Sequence, residues 1–117
     1  GGVMNSPIIQ TEVEERLLKL ADRMDIELDR FAEASHERAH FEAEHKLAYS
    51  KSIVASSTNK ETVAHKEAMA HLRAKEAFHG WKLAEAKEKA TQQALIAIRA
   101  QMDALRTISA NVRAMGG

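Results

Sequence analysis

From Val13 the apolar residues fall at Val13, Leu17, Leu20, Met24, Leu28 and Phe31, in steps of four, three, four, four and three. That is the spacing of one helical face. Beyond Phe31 the stripe runs through Ser35, Ala39 and Ala43 and regains a large side chain at Leu47. The thin stretch tolerates polar residues or lies against a close neighbour. Thr11-Glu12-Val13-Glu14 has the form of a capping box, with the Thr11 hydroxyl on a free N–H and Glu14 reaching back. A first helix is therefore expected from Thr11 to about Ser52.

The pattern lapses between Ser50 and Lys60. Ala55-Ser56-Ser57-Thr58-Asn59 lacks strong helix formers and offers side chains that bond the local backbone. Thr58 or Asn59 is placed to cap the next helix, with Glu61 and Thr62 in its first turn. From Lys60 the pattern is helical to about Ala114, and Met115-Gly116-Gly117 closes it. Gly80 is the single glycine between Thr11 and Met115. A mid-helix glycine costs about 1 kcal/mol against alanine and often marks a close approach. We read the second helix as continuous, with a kink at Gly80 as the alternative.

The clearest repeat is Leu95, Ile98, Met102, Leu105, Ser109 and Val112, stepping by three, four, three, four and three. That is a coiled-coil seam. Arg99, Arg106 and Arg113 stand seven apart beside it, where charges select a partner helix. In a hairpin turning near residue 57, Arg99 falls opposite Arg16 and the Glu12, Glu14, Glu15 cluster. Pairing between helices is the plain reading of these arginines, and a phosphate-contacting stripe is the other. A second line, Ala86, Ala90, Ala94 and Ala97, lets helices approach closely and predicts more than two helices in the working unit. Leu95, Ile98, Met102, Leu105 and Val112, with Ala86, Ala90 and Ala94, form the candidate oligomer or partner interface.

Composition supports this architecture. Aromatic residues make up 4% of the 117, and alanine supplies much of the apolar content. Alanine buries little area, so one copy has a thin core and a homo-oligomer is expected. One helical-hairpin domain is expected over residues 11–115. Ahead of it, residues 1–10 read as a disordered segment in which Gly1-Gly2-Val3 before Met4 resembles a cloning scar. There is no cysteine, which is compatible with a reducing cytoplasm. No apolar run approaches the roughly 18–20 residues that span a bilayer, so no membrane partner is expected. The net charge is zero, yet residues 1–48 hold eleven acids and six bases, and residues 49–117 the reverse. Two mutually attracting helices explain that split. The alternative is a basic half that meets nucleic acid through Lys82, Lys87, Lys89, Arg99, Arg106 and Arg113.

Two motifs invite a metal. His36-Glu37-Arg38-Ala39-His40 is a literal H-E-x-x-H, which on a helix can hold zinc with the glutamate as general base. It lacks a third ligand: the extended pattern requires histidine at position 46, which is Lys46. We read His36, Glu37 and His40 as a decoy. E-x-x-H, the di-iron signature of ferritin-like bundles, occurs at Glu33/His36, Glu37/His40, Glu42/His45 and Glu76/His79. Only Glu42 and His45 fall near the apolar side of their helix. Phe31, Phe41, Tyr49, Phe78 and Trp81 read as packing residues. Aromatics beside Lys75, His79 and Lys82 also suit a small-ligand pocket or a base-stacking platform. No Gly-rich phosphate loop or nucleophile elbow is present, so neither enzyme activity nor a cofactor is expected.

The stretch from Ala64 to Ala114, with Leu83-Ala84-Glu85-Ala86-Lys87 and Ile98-Arg99-Ala100-Gln101-Met102-Asp103-Ala104-Leu105-Arg106, resembles short all-helical proteins encoded by tailed bacteriophages. Such proteins are often encoded near replication and recombination genes. The resemblance covers the C-terminal half and transfers no site residue. It implies an accessory protein of the host-cell cytoplasm that binds a protein partner, DNA or a host defence component. The sequence thus predicts an all-α, long antiparallel helical hairpin in an oligomeric bundle or coiled coil. Its expected role is a non-enzymatic interaction protein. The alternatives are a DNA-binding accessory factor for recombination or replication, and a small-ligand or metal-binding bundle.

Overall fold

A computed structural model describes residues 6–116, with side chains described from Gln10 onward. The fold is all-α: α1 is Ser6–Ala55, α2 is Val63–Arg73 and α3 is Lys75–Gly116. α1 runs back alongside α2 and α3 as an antiparallel hairpin, as expected. Among the described residues no helix is long and apolar enough to cross a membrane.

Three boundaries differ from the sequence reading. Residues 1–5 of the expected loose segment, with the Gly1-Gly2-Val3 scar, lie outside the described residues. Residues 6–10 are helical, so the helix begins at Ser6 rather than at Thr11. Pro7 allows this, because a first-turn residue needs no N–H partner and proline already has helical φ. α1 continues to Ala55, and the turn is displaced to residues 56–62. There Ser56 donates to the Ile53 carbonyl at 3.1 Å, and the Asn59 N–H bonds the Ser56 carbonyl at 3.1 Å. The cap of α2 is Thr62, not Thr58 or Asn59; its backbone is extended, and its hydroxyl oxygen accepts the His65 N–H at 3.2 Å.

The return strand is interrupted, but not at Gly80. Ala74 takes φ −93° and ψ 7° between α2 and α3. Its N–H still reaches the Ala70 carbonyl at 3.0 Å, and its carbonyl accepts from Phe78 at 2.9 Å. The hydrogen-bond ladder therefore crosses the interruption. Gly80 lies inside α3, and its lack of a Cβ is needed: a Cβ there would lie 2.7 Å from Phe41 Cδ1 and 2.9 Å from Cε1.

The chain groups into two compact units. The terminal unit joins the chain up to Arg30 with the chain from Thr91, and the turn unit is Phe31–Ala90. In the terminal unit Val13, Leu20, Ile98 and Ser109 are buried, with Leu17, Met24, Leu95, Met102, Leu105 and Val112 half-buried. Gln10 and Ser109 close one end with a 2.9 Å hydrogen bond from Gln10 Nε2. In the turn unit the buried residues are Ala34, Ser52, Ser56, Ala70, Ala74 and Ala84. Phe41, His45, Tyr49 and Trp81 are half-buried around them.

Covered positions on α1 alternate by three and four residues, as a two-stranded coiled coil requires. After Met24 they are Glu27, Phe31, Ala34, Arg38, Phe41 and His45. Leu28 and Leu47, expected on the inner stripe, are 47% and 55% exposed, and Ala39 and Ala43 are exposed with them. The apolar pattern followed large residues, whereas the seam here accepts alanine, arginine and glutamate.

Candidate interaction site

The seam from Leu95 to Val112 faces α1 of the same chain. Within the terminal unit Ile98 and Ser109 are buried and Leu95, Met102, Leu105 and Val112 half-buried, with Leu105 also lining a groove there. The second line is different: Ala86, Ala90 and Ala97 are exposed and Ala94 is half-buried. It continues on the same face of α3 through Gln101, Ala104 and Ile108 at alternating steps of three and four.

In the terminal unit that line borders a groove of about 490 Å³. Leu20, Ala104 and Leu105 form its apolar lining, and Arg16, Lys19, Arg23 and Gln101 its rim. Arg16, Lys19 and Arg23 take part in no ion pair among the described residues, unlike Arg30, which reaches Glu27 at 2.8 Å. These three cations were not singled out in the sequence. The available signal was the spacing of Arg16, Arg23 and Arg30, seven apart like Arg99, Arg106 and Arg113.

Those latter arginines do not pair across the hairpin as expected. Arg106 holds Asp103 on its own helix at 3.2 Å. Arg99 and Arg113 have no ion pair among the described residues. The turn lies later than residue 57, and Tyr49 faces His71 at 5.0 Å between ring centroids. That register moves Arg99 away from Arg16. Of the other basic candidates, Lys82 and Lys89 both approach Glu85, at 3.7 and 3.8 Å, and Lys87 lies 4.0 Å from Glu37.

The turn unit carries the charged contacts between helices. Arg38 and Glu88, both at covered seam positions, meet Nε to Oε2 at 2.8 Å, and Arg38 also holds Glu42 at 2.9 Å. Hydrogen bonds from Arg38 and then Ser35 keep the Glu88 carboxyl below the ordinary carboxylate range, and the Arg38 charge adds to this. Glu88 in turn raises the Arg38 guanidinium, first through the hydrogen bond and then through its charge. Arg73 donates to the buried Ser52 hydroxyl at 3.0 Å.

Next along the seam is an aromatic and histidine cluster. The His45 ring lies 5.3 Å from Phe78 and 5.5 Å from Trp81, and Lys82 Nζ sits 4.4 Å from the Trp81 centroid. His45 Nδ1 is buried without a hydrogen-bond partner. A hollow of about 240 Å³ beside it is lined by His45, Lys46, Tyr49, Ser50 and His71. Lys75, Phe78 and His79 line a separate open hollow with Glu76.

The H-E-x-x-H residues are not gathered into a site. His36 is exposed, Glu37 faces Lys87, and His40 lies 3.1 Å from Glu44. Among the described residues no group of three or more histidine, cysteine, aspartate or glutamate side chains is placed to hold a metal ion. Glu42 and His45 are half-buried as the helical phase indicated, but Glu42 is engaged by Arg38 and Lys46, the latter at 3.3 Å.

No family model, no curated protein and no solved structure matches this chain.

Proposed function

We propose that this chain is a non-enzymatic interaction protein, an accessory factor that works by packing helices of a protein partner onto its hairpin. One observation carries this reading: large apolar residues off the seam remain uncovered. Leu18 is 69% exposed, Leu83 53% and Ile96 55%. Apolar positions repeated along helices outside an already satisfied seam are the features of an interaction surface. The phage-like texture of residues 64–114 fits such a role. Nucleic acid is the weaker reading, because Lys82, Lys87, Lys89 and Arg106 all lie beside carboxylates, which compete with phosphate.

The test is site-specific photo-crosslinking in the cells that make the protein, with a benzophenone side chain at Leu18 or Leu83 and a control at Thr58. Protein adducts at the first two positions and none at Thr58 are expected. Nucleic-acid adducts, or no adduct at either apolar position, overturn the reading. A parallel gel shift should show no retardation of single-stranded or duplex DNA at about 50 mM salt, where phosphate contacts are strongest.

A further inference from the structure

The groove of the terminal unit needs an occupant with two properties. It must bring large apolar side chains to Leu20, Ala104 and Leu105, and carboxylates to Arg16, Lys19 and Arg23. Small residues on the α3 side, Ala97 and Ala104, permit a helix axis to come close.

α1 itself displays such a surface on its other flank. Leu18, Ala21 and Leu28 form a partly exposed apolar strip, with Leu18 at 69% and Leu28 at 47% exposure. Beside it Glu15, Asp22, Asp25 and Asp29 are exposed and make no ion pair among the described residues. The two charged rows have matching pitch. Arg16, Lys19 and Arg23 step by three and four; Glu15, Asp22, Asp25 and Asp29 step by seven, three and four, with Leu18 between the first two. Along each helix the rows are offset by one residue, roughly 100° around the axis. The rows are centred on different directions; Glu15 and Asp22 come within i,i+4 and i,i+3 reach of Lys19, yet among the described residues neither forms an ion pair with it.

We infer that the Arg16–Lys19–Arg23 groove receives α1 of a second copy of this chain, docked by its Leu18–Asp22–Asp25 face. This rests on the interaction reading above and names the partner of that surface. Because groove and face are different patches of the same molecule, the contact is heterologous. It builds a ring or an open head-to-tail assembly rather than stopping at a two-fold dimer. The opposite charges also fix which face docks, since like-charged juxtapositions are strongly disfavoured.

The experiment is a charge-swap mixing test read by light scattering. Wild type should grow in mass above the 13.0 kDa monomer as concentration rises, and shrink in high salt. Arg16→Glu/Arg23→Glu should weaken association at least about tenfold, and Asp22→Arg/Asp25→Arg should do the same. The four side chains are exposed and make no ion pair, so helicity by circular dichroism and Tm should stay near wild type. Mixed together, the two variants present complementary surfaces and should assemble again, as should one chain carrying all four changes. A wild-type monomer up to about 1 mM, variants that assemble like wild type, or a mixture that stays dissociated each overturn the inference. The interaction reading fails separately, through the crosslinking and DNA results: a monomer crosslinked at Leu18 to another protein retains that reading and loses this one.

Discussion

In the terminal unit the buried apolar side chains are Val13, Leu20 and Ile98; in the turn unit they are Ala34, Ala70, Ala74 and Ala84. The terminal unit joins its helices with branched apolar residues and, among the described residues, no ion pair between them. The turn unit uses alanine, half-buried rings and cross-helix polar contacts such as Arg38–Glu88 and Arg73–Ser52. Burial of apolar area stabilises in proportion to that area, so the first arrangement supplies more cohesion per layer. Directional contacts supply less net stability but fix which residues face each other. One hairpin thus divides cohesion and register between its two units.

The largest expected effect is in the terminal unit. Ile98 is 1% exposed and, among the described residues, the largest fully buried side chain. Ile98→Ala should cost about 2–4 kcal/mol, measured by urea or thermal unfolding. In the turn unit the matching truncation, Ala84→Gly, should cost only about 1 kcal/mol, mostly from helix propensity. Equal losses at both positions would break the contrast.

Gly80→Ala comes next. On an open helix surface this change gains about 1 kcal/mol. Here the new methyl group meets the Phe41 ring at 2.7–3.0 Å. We expect a net loss of about 1 kcal/mol, since overpacking outweighs propensity. In a Phe41→Leu background the sign should reverse, and stabilities of the four chains in the cycle provide the check.

The smallest effect is the pH dependence of the Arg38–Glu88 pair. The Glu88 carboxyl lies below its unfolded value of 4.5, so its contribution is complete above that pH. It is lost as pH falls through the lower, folded pKa. The Tm difference between wild type and Glu88→Gln should therefore be largest near neutrality and shrink below about pH 4. A constant difference from neutral to strongly acidic pH would mean that the carboxylate charge contributes nothing here.

The helices were legible because helix formers run without proline or glycine through most of the chain, and the 95–112 seam because its residues are large. The α1 seam was lost after Met24. Its next positions are Glu27, Ala34 and Arg38, and a search for apolar residues moves instead to Leu28 and Leu47. The helix start was hidden by Pro7, which acts as a breaker only beyond the first turn. The cap at Thr62 was missed because Thr58 and Asn59 offer the same chemistry earlier. The groove cations were invisible for another reason: nothing in Arg16, Lys19 and Arg23 alone shows that Ala104 and Leu105 lie beside them.

A heptad seam is periodic, so a hairpin built on one has neighbouring alignments seven residues away in which the inner positions still meet. The Phe41–Gly80 contact disfavours those alignments. Seven residues before and after Gly80 stand Arg73 and Lys87, whose Cβ atoms would occupy the space the ring now fills. The glycine works as a shallow detent: the missing methyl group favours the alignment in which it meets the ring.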